Sequence, residues 1–162
     1  MKILDNIPLM DDNKLAKLFT NALEMKRKRK MEENADSVIK AVQAEWKKRL
    51  ELYQKGGYKA DTPDQGVLKT VGYKVGNDGV SQELREYLLD YILTSQLPPI
   101  GSPAYIAEWG KESSALRYRK LHRVIRVLAS SAITLGNMKK AATEWEEDLL
   151  YIEKKWIHLK NK

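Results

Sequence analysis

The chain has 162 residues, no cysteine and a formal charge of +7, with 43% hydrophobic and 31% charged residues. A chain of that length buries roughly two-thirds of its unfolded surface without covalent staples, and the lack of thiols excludes disulfides, thiolate nucleophiles and thiolate metal sites. The positive balance points to an anionic partner: nucleic acid, an acidic protein face or anionic lipid.

No stretch approaches the roughly 20 apolar residues of a membrane span. The opening MKILDNIPLMDDNK is too polar for a signal peptide. A cytoplasmic setting and no membrane partner are therefore expected.

Asp11 or Asp12 caps a first helix over residues 12–26, with Leu15, Leu18, Phe19, Ala22 and Leu23 on one face. Five consecutive cations follow, Lys26-Arg27-Lys28-Arg29-Lys30. We read them as a solvated helix end, where cations suit the C-terminal dipole, in preference to a phosphate-contacting strip. A second helix over 33–54 carries Ala35, Val38, Ile39, Val42, Trp46, Leu50 and Tyr53 at helical spacing. Gly56-Gly57 ends it. Residues 1–58 should thus form a helical hairpin, and 59–162 a helical module sharing its core.

Residues 59–79 are irregular. Thr62-Pro63 suits a helix start, and a short turn through Val67, Leu68 and Val71 follows. Gly72, Gly76 and Gly79 are spaced G-x3-G-x2-G with no GK[ST] after them. That is a small strand or an ordered turn and not a phosphate cradle. Ser81 then caps a helix bearing Leu84, Leu88, Tyr91 and Ile92, which Leu97-Pro98-Pro99 must stop. Ser102-Pro103 restarts a short helix with Tyr105, Ile106 and Trp109 on one side, closed by Gly110.

Ser113 or Ser114 caps a helix reaching about residue 135. Its buried stripe is Leu116 or Arg117, Leu121, Val124, Ile125, Leu128, Ala132 and Ile133. Arg119, Arg123 and Arg126 recur at i, i+4 and i+7, flanked by Arg117 and Lys120. With Lys139 and Lys140, residues 113–143 hold seven cations and no acid. Like charges at that spacing cost a few tenths of a kcal/mol each. Their counter-charges must come from outside the helix.

Gly136-Asn137 breaks the chain before a last helix over 137–160. Trp145, Leu149, Ile152, Trp156 and Leu159 lie on it at coiled-coil-like spacing, beside Glu144, Glu146, Glu147 and Asp148. Two readings of the arginines stand: an ion-pair seam against these acids, or a surface for an anionic ligand.

Few catalytic patterns are present. Neither His122 nor His158 belongs to HExxH or follows a Glu by three residues, and no G-x-S-x-G elbow occurs. Pro63-Asp64 opens a PD-(D/E)xK-like pattern, but the next E-x-K, Glu153-Lys154-Lys155, lies in a helix. Glu144, Glu147 and Asp148 at i, i+3 and i+4 are a minor candidate for Mg²⁺. No helix-turn-helix, zinc-finger or RNP signature is present.

The motifs Gly72-Tyr73-Lys74-Val75-Gly76, Leu97-Pro98, Ser102-Pro103-Ala104-Tyr105-Ile106-Ala107-Glu108-Trp109-Gly110 and Trp145-Glu146-Glu147-Asp148-Leu149-Leu150-Tyr151 run through about half the chain. With the helical stretches 85–89 and 117–121, they make residues 72–156 resemble a small helical module of uncharacterised bacterial and phage proteins. The resemblance implies a module that stands alone or is appended to larger proteins, some linked to mobile elements or defence. It brings no catalytic residues. Tyr118 and Tyr151 depart from the Leu and Trp expected there.

The expectation is an all-α domain of five to six helices, with a central short Tyr/Trp helix and a Gly-rich connecting loop. The Tyr105–Trp109 turn should plug into Trp46, Leu88, Leu121, Leu128, Trp145 and Leu149. The expected function is a non-enzymatic binding module that uses Arg117, Arg119, Lys120, Arg123, Arg126, Lys139 and Lys140 on nucleic-acid phosphate, with no cofactor or metal. The alternatives are a protein-protein adaptor or inhibitor, for instance of a host defence nuclease complex, and a metal-dependent hydrolase at Glu144, Glu147 and Asp148.

Overall fold

The computed structural model describes residues 2–56, 66–98, 103–135 and 138–162. Expectations that fall on Gly57, Thr62-Pro63, Asp64, Pro99, Ser102 and Gly136-Asn137 lie outside them. The described residues are helical and contain no strand. Eight α-helices occur in chain order: α1 (Lys2–Asn6), α2 (Asp12–Arg27), α3 (Glu32–Gln54), α4 (Val67–Thr70), α5 (Gln82–Thr94), α6 (Pro103–Ala107), α7 (Ala115–Leu135) and α8 (Lys139–Trp156). Short 3-10 turns at Ile7–Leu9 and Ile157–Leu159 follow α1 and α8. The five long helices match the apolar periodicity. With the short helix α6 they make the six expected; the count rises to eight because α1 and α4 span only five and four residues, too few for a hydrophobic stripe.

The chain divides into two compact units, Met1–Gly72 with Gln96–Ile106, and Tyr73–Ser95 with Ala107–Lys162.

In the first unit α2 and α3 form the expected antiparallel hairpin. The Asp11 carboxylate accepts from the Lys14 amide at 2.8 Å, capping α2. Leu15, Phe19 and Leu23 are buried with Ile39, Val42 and Trp46. The Phe19 and Trp46 rings meet at 4.9 Å and 53°, a tilted packing that suits their quadrupoles. Inside the apolar layer Arg49 is also buried. It donates to Asp12 Oδ1 at 2.9 Å, Glu45 Oε1 at 2.7 Å and the Met10 carbonyl at 2.6 Å. That arginine holds the start of α2 and the preceding turn against α3.

The five-cation run lies at the other end of this hairpin. Lys26 pairs with Asp36 at 2.8 Å, and Arg27 and Lys28 reach Glu24 at 2.8 and 3.0 Å. Residues 28–30 turn away from the helix and are exposed. Tyr105, expected in the core, is only half-buried; its hydroxyl accepts from the Val67 amide at 3.2 Å and so orders the start of α4.

In the second unit α7 and α8 are antiparallel neighbours, with α5 against both. Leu88, Leu89 and Ile92 of α5, Leu121 and Ile125 of α7, and Ile152 of α8 are fully buried, as is Trp109. Trp145 and Leu149, expected as core anchors, are half-buried. Leu116 and Ile133 are exposed at 45% and 59%, and Arg117 takes the stripe position that Leu116 leaves.

The glycine-rich stretch is an ordered loop. The Val80 amide donates to the Lys74 carbonyl and the Gly79 amide to the Gly76 carbonyl, both at 2.9 Å. Gly76 has φ +89°, and a Cβ on Gly79 would stand 2.7 Å from the Val75 carbonyl carbon. The glycines close a tight backbone turn, so their spacing reflects loop geometry.

Candidate nucleic-acid interface

Glu144, Glu147 and Asp148 of α8 do not answer the arginines of α7; they turn to α5. Arg85, 2% exposed, donates to Asp148 Oδ2 at 2.8 Å and lies 3.3 Å from Glu147 and 3.4 Å from Glu144. The Tyr73 hydroxyl donates to the same Asp148 oxygen at 2.6 Å, and the Gly76 amide donates to Glu144 at 2.6 Å. One buried guanidinium therefore gathers three carboxylates and, through them, ties the glycine-rich loop to α8.

Electrostatics follow from that burial. Burial opposes the charge on Arg85, but the hydrogen bond and charge of Asp148 outweigh it and hold the guanidinium above its ordinary value. Burial also pushes the Asp148 carboxyl up, against the hydrogen bonds from Tyr73 and Arg85. Burial and then the Asp148 charge push the Tyr73 hydroxyl up, so it stays a donor. Glu144, Glu147 and Asp148 thus already surround a cation, and no group of three acidic or histidine side chains among the described residues is arranged to hold a metal ion.

Arg117 must be withdrawn from the basic face. It is 3% exposed and bonds only backbone carbonyls: Trp109 at 3.0 Å, Ile92 at 2.6 Å, Ser95 at 3.1 Å and Gly110 at 2.8 Å. Burial pushes its pKa down, and the charge of Glu112 works against that. Its planar fork satisfies the end of α5 and the Trp109 turn together, a task no lysine geometry matches. The clue in the sequence was its spacing to Leu121 and Ile125, at i+4 and i+8. Arg85 was missed as a partner for the acids, although it sits three and four residues before Leu88 and Leu89 on a buried face.

Arg119, Arg123 and Arg126 stand outward, all exposed. Among the described residues no carboxylate pairs with any of them; Arg119 makes one long contact, 3.4 Å, to the Lys160 carbonyl. Lys120 is half-buried, paired with the exposed Glu108 at 2.6 Å and placed over the Trp109 ring at 5.9 Å. Lys139 and Lys140 are exposed at the opposite end of the α7–α8 hairpin.

The three outward arginines line one wall of a recess of about 490 Å³. Lys160 and Ile157, from the turn after α8, line the recess as well. On its floor His122 stacks on Tyr118, ring centroids 5.8 Å apart at 27°, and its Nε2 meets Glu153 Oε1 at 2.7 Å. Among the described residues Glu153 is the only carboxylate lining the recess.

No family model, no curated protein and no solved structure matches this chain. The geometry of the recess therefore carries the functional argument.

Proposed function

We propose that the chain is a non-enzymatic binding module whose α7 face engages a polyanion, with nucleic-acid phosphate as the partner. The observation that supports this is the exposure of Arg119, Arg123 and Arg126 without carboxylate partners among the described residues, while Glu144, Glu147 and Asp148 of α8 are engaged by Arg85 and Glu153 meets His122. Guanidinium groups are suited to phosphate because their donors are fixed in a fork and their charge persists at any accessible pH. Such contacts position a backbone without reading bases. Lys120, half-buried and paired with Glu108, stands outside this set.

The test is binding of a fluorescein-labelled duplex against salt. Arg119, Arg123 and Arg126 together should give a slope of log affinity against log salt of about −2.7, at roughly −0.9 per phosphate neutralised. A flat slope, or no binding of either the duplex or its single strand at low salt, would remove the proposal.

The adaptor reading is supported by Leu116, Val127 and Ile133, exposed on α7. It lacks an aromatic anchor, since no tryptophan, tyrosine or phenylalanine is fully exposed among residues whose burial is described. A hydrolase at Glu144, Glu147 and Asp148 would first have to displace the Arg85 guanidinium.

A further inference from the structure

Resting on the polyanion reading, we infer that the recess beside α7 takes a single strand of nucleic acid in preference to a duplex, with its phosphates on the arginine wall and an unpaired base laid toward Ile157 and His122. The first observation is shape. A helix that reads a duplex protrudes into the major groove. Here the arginines of α7 line a shallow recess together with Ile157 and Lys160 of the turn after α8, so they are flanked by other chain and do not stand on a lone protruding helix.

The second observation is the distribution of charge around the recess. Arg119, Arg123 and Arg126 form a row about 10 Å long, from the 1.5 Å rise per helical residue. Lys160 adds a cation from the turn after α8. A backbone lying along that row meets positive charge over its length, as in grooves that track single strands.

The third observation is apolar and flat surface inside the charged rim. Ile157 is 49% exposed and lines the recess. The imidazole of His122 is held in one orientation by its stack on Tyr118 and its contact with Glu153. A duplex keeps its base faces stacked inside, so it has nothing to place on Ile157 or the His122 ring. An unpaired base has a free face. Glu153 completes the asymmetry: its carboxylate repels phosphate and accepts a hydrogen bond from a base amino group or a ribose hydroxyl.

The experiment is fluorescence anisotropy at low salt with the full chain. The probes are a labelled dodecanucleotide single strand of mixed sequence and the same strand annealed to its complement. The single strand should bind about fivefold more tightly, the worth of one base contact at the low end of base stacking. Its salt slope should be near −0.7 per phosphate. Ile157→Ser should weaken the single strand severalfold and leave the duplex unchanged, with thermal unfolding confirming that the variant folds. Arg123→Gln should make the salt slope shallower on either probe. Equal or tighter duplex binding, with a slope that Arg123→Gln still reduces, overturns this inference and leaves the polyanion reading standing. Failure to bind either probe overturns both.

Discussion

Arginine does two kinds of work in this chain, and the side chain's surroundings decide which. Arg49, Arg85 and Arg117 are buried and fully engaged, while Arg119, Arg123 and Arg126 are exposed. Removing one partner of a buried pair leaves an uncompensated charge, at a cost of about 3–5 kcal/mol. Arg85→Ala should therefore lower the urea unfolding free energy by that amount, and a loss below about 1 kcal/mol would contradict the role given to the cluster. Arg117→Lys keeps the charge but cannot reach four carbonyls. With at least two carbonyls left without donors, it should cost at least about 2 kcal/mol. It should leave the salt slope of binding untouched, which separates it from the outward arginines.

A pH effect belongs to this scale too. Hydrogen bonds from Arg27 and then Lys28 hold the Glu24 carboxyl down from 4.5 to about 2. A depressed carboxyl stabilises the fold above its unfolded value and loses that contribution as pH falls to the folded one. The wild-type chain should thus lose stability between pH 4.5 and about 2 relative to Glu24→Gln, read by urea midpoints across that range. Parallel profiles for the two proteins would show that the pair contributes nothing.

The elements were legible where periodicity and caps agree. Asp11 and Ser81 cap α2 and α5 through their side chains, and the apolar stripes of α2, α3, α5, α7 and α8 mark buried faces. Ser114 caps α7, its hydroxyl accepting from the Arg117 amide at 3.1 Å. Short elements left a weaker trace, because a helix of four or five residues is held by its neighbours and not by its own sequence. Arg117 stood in the sequence as the alternative to Leu116 in the stripe, but Arg49 and Arg85 were hidden for a different reason. Their positions fit the stripes, but a composition-based reading assigns cations to the surface.

The glycine-rich loop gives a prediction for the element. Gly76→Ala forces a side chain into a left-handed conformation, costing about 1–2 kcal/mol. Gly79→Ala brings a Cβ within 2.7–2.8 Å of backbone atoms of Val75 and Lys74, which cannot yield as a side chain would. Overpacking of that kind costs typically about 1–3 kcal/mol. Chemical denaturation of both variants checks this, and wild-type stability in both would mean the loop is not closed as described.

Across the whole chain, the +7 charge raised the expectation of an anionic partner without a place for it. The acid-free run over 113–143 directed that expectation to α7. Which cations face outward depends on a choice the local sequence does not make: whether the α8 carboxylates turn toward α7 or α5. Glu144, Glu147 and Asp148 turn to α5 because Arg85 lies on a buried face, where its charge requires partners, whereas the α7 arginines are solvated. The far wall of the recess was equally hidden, since Ile157 and Lys160 join it only through the antiparallel return of α8.

The most direct test of this account is the salt dependence of single-strand binding by wild type and by the triple variant Arg119→Gln, Arg123→Gln, Arg126→Gln. The account predicts a wild-type slope near −2.8, from four cations at about −0.7 each, and a slope near −0.7 in the variant, where Lys160 alone remains. Identical slopes for the two proteins, with both still folded, would contradict it.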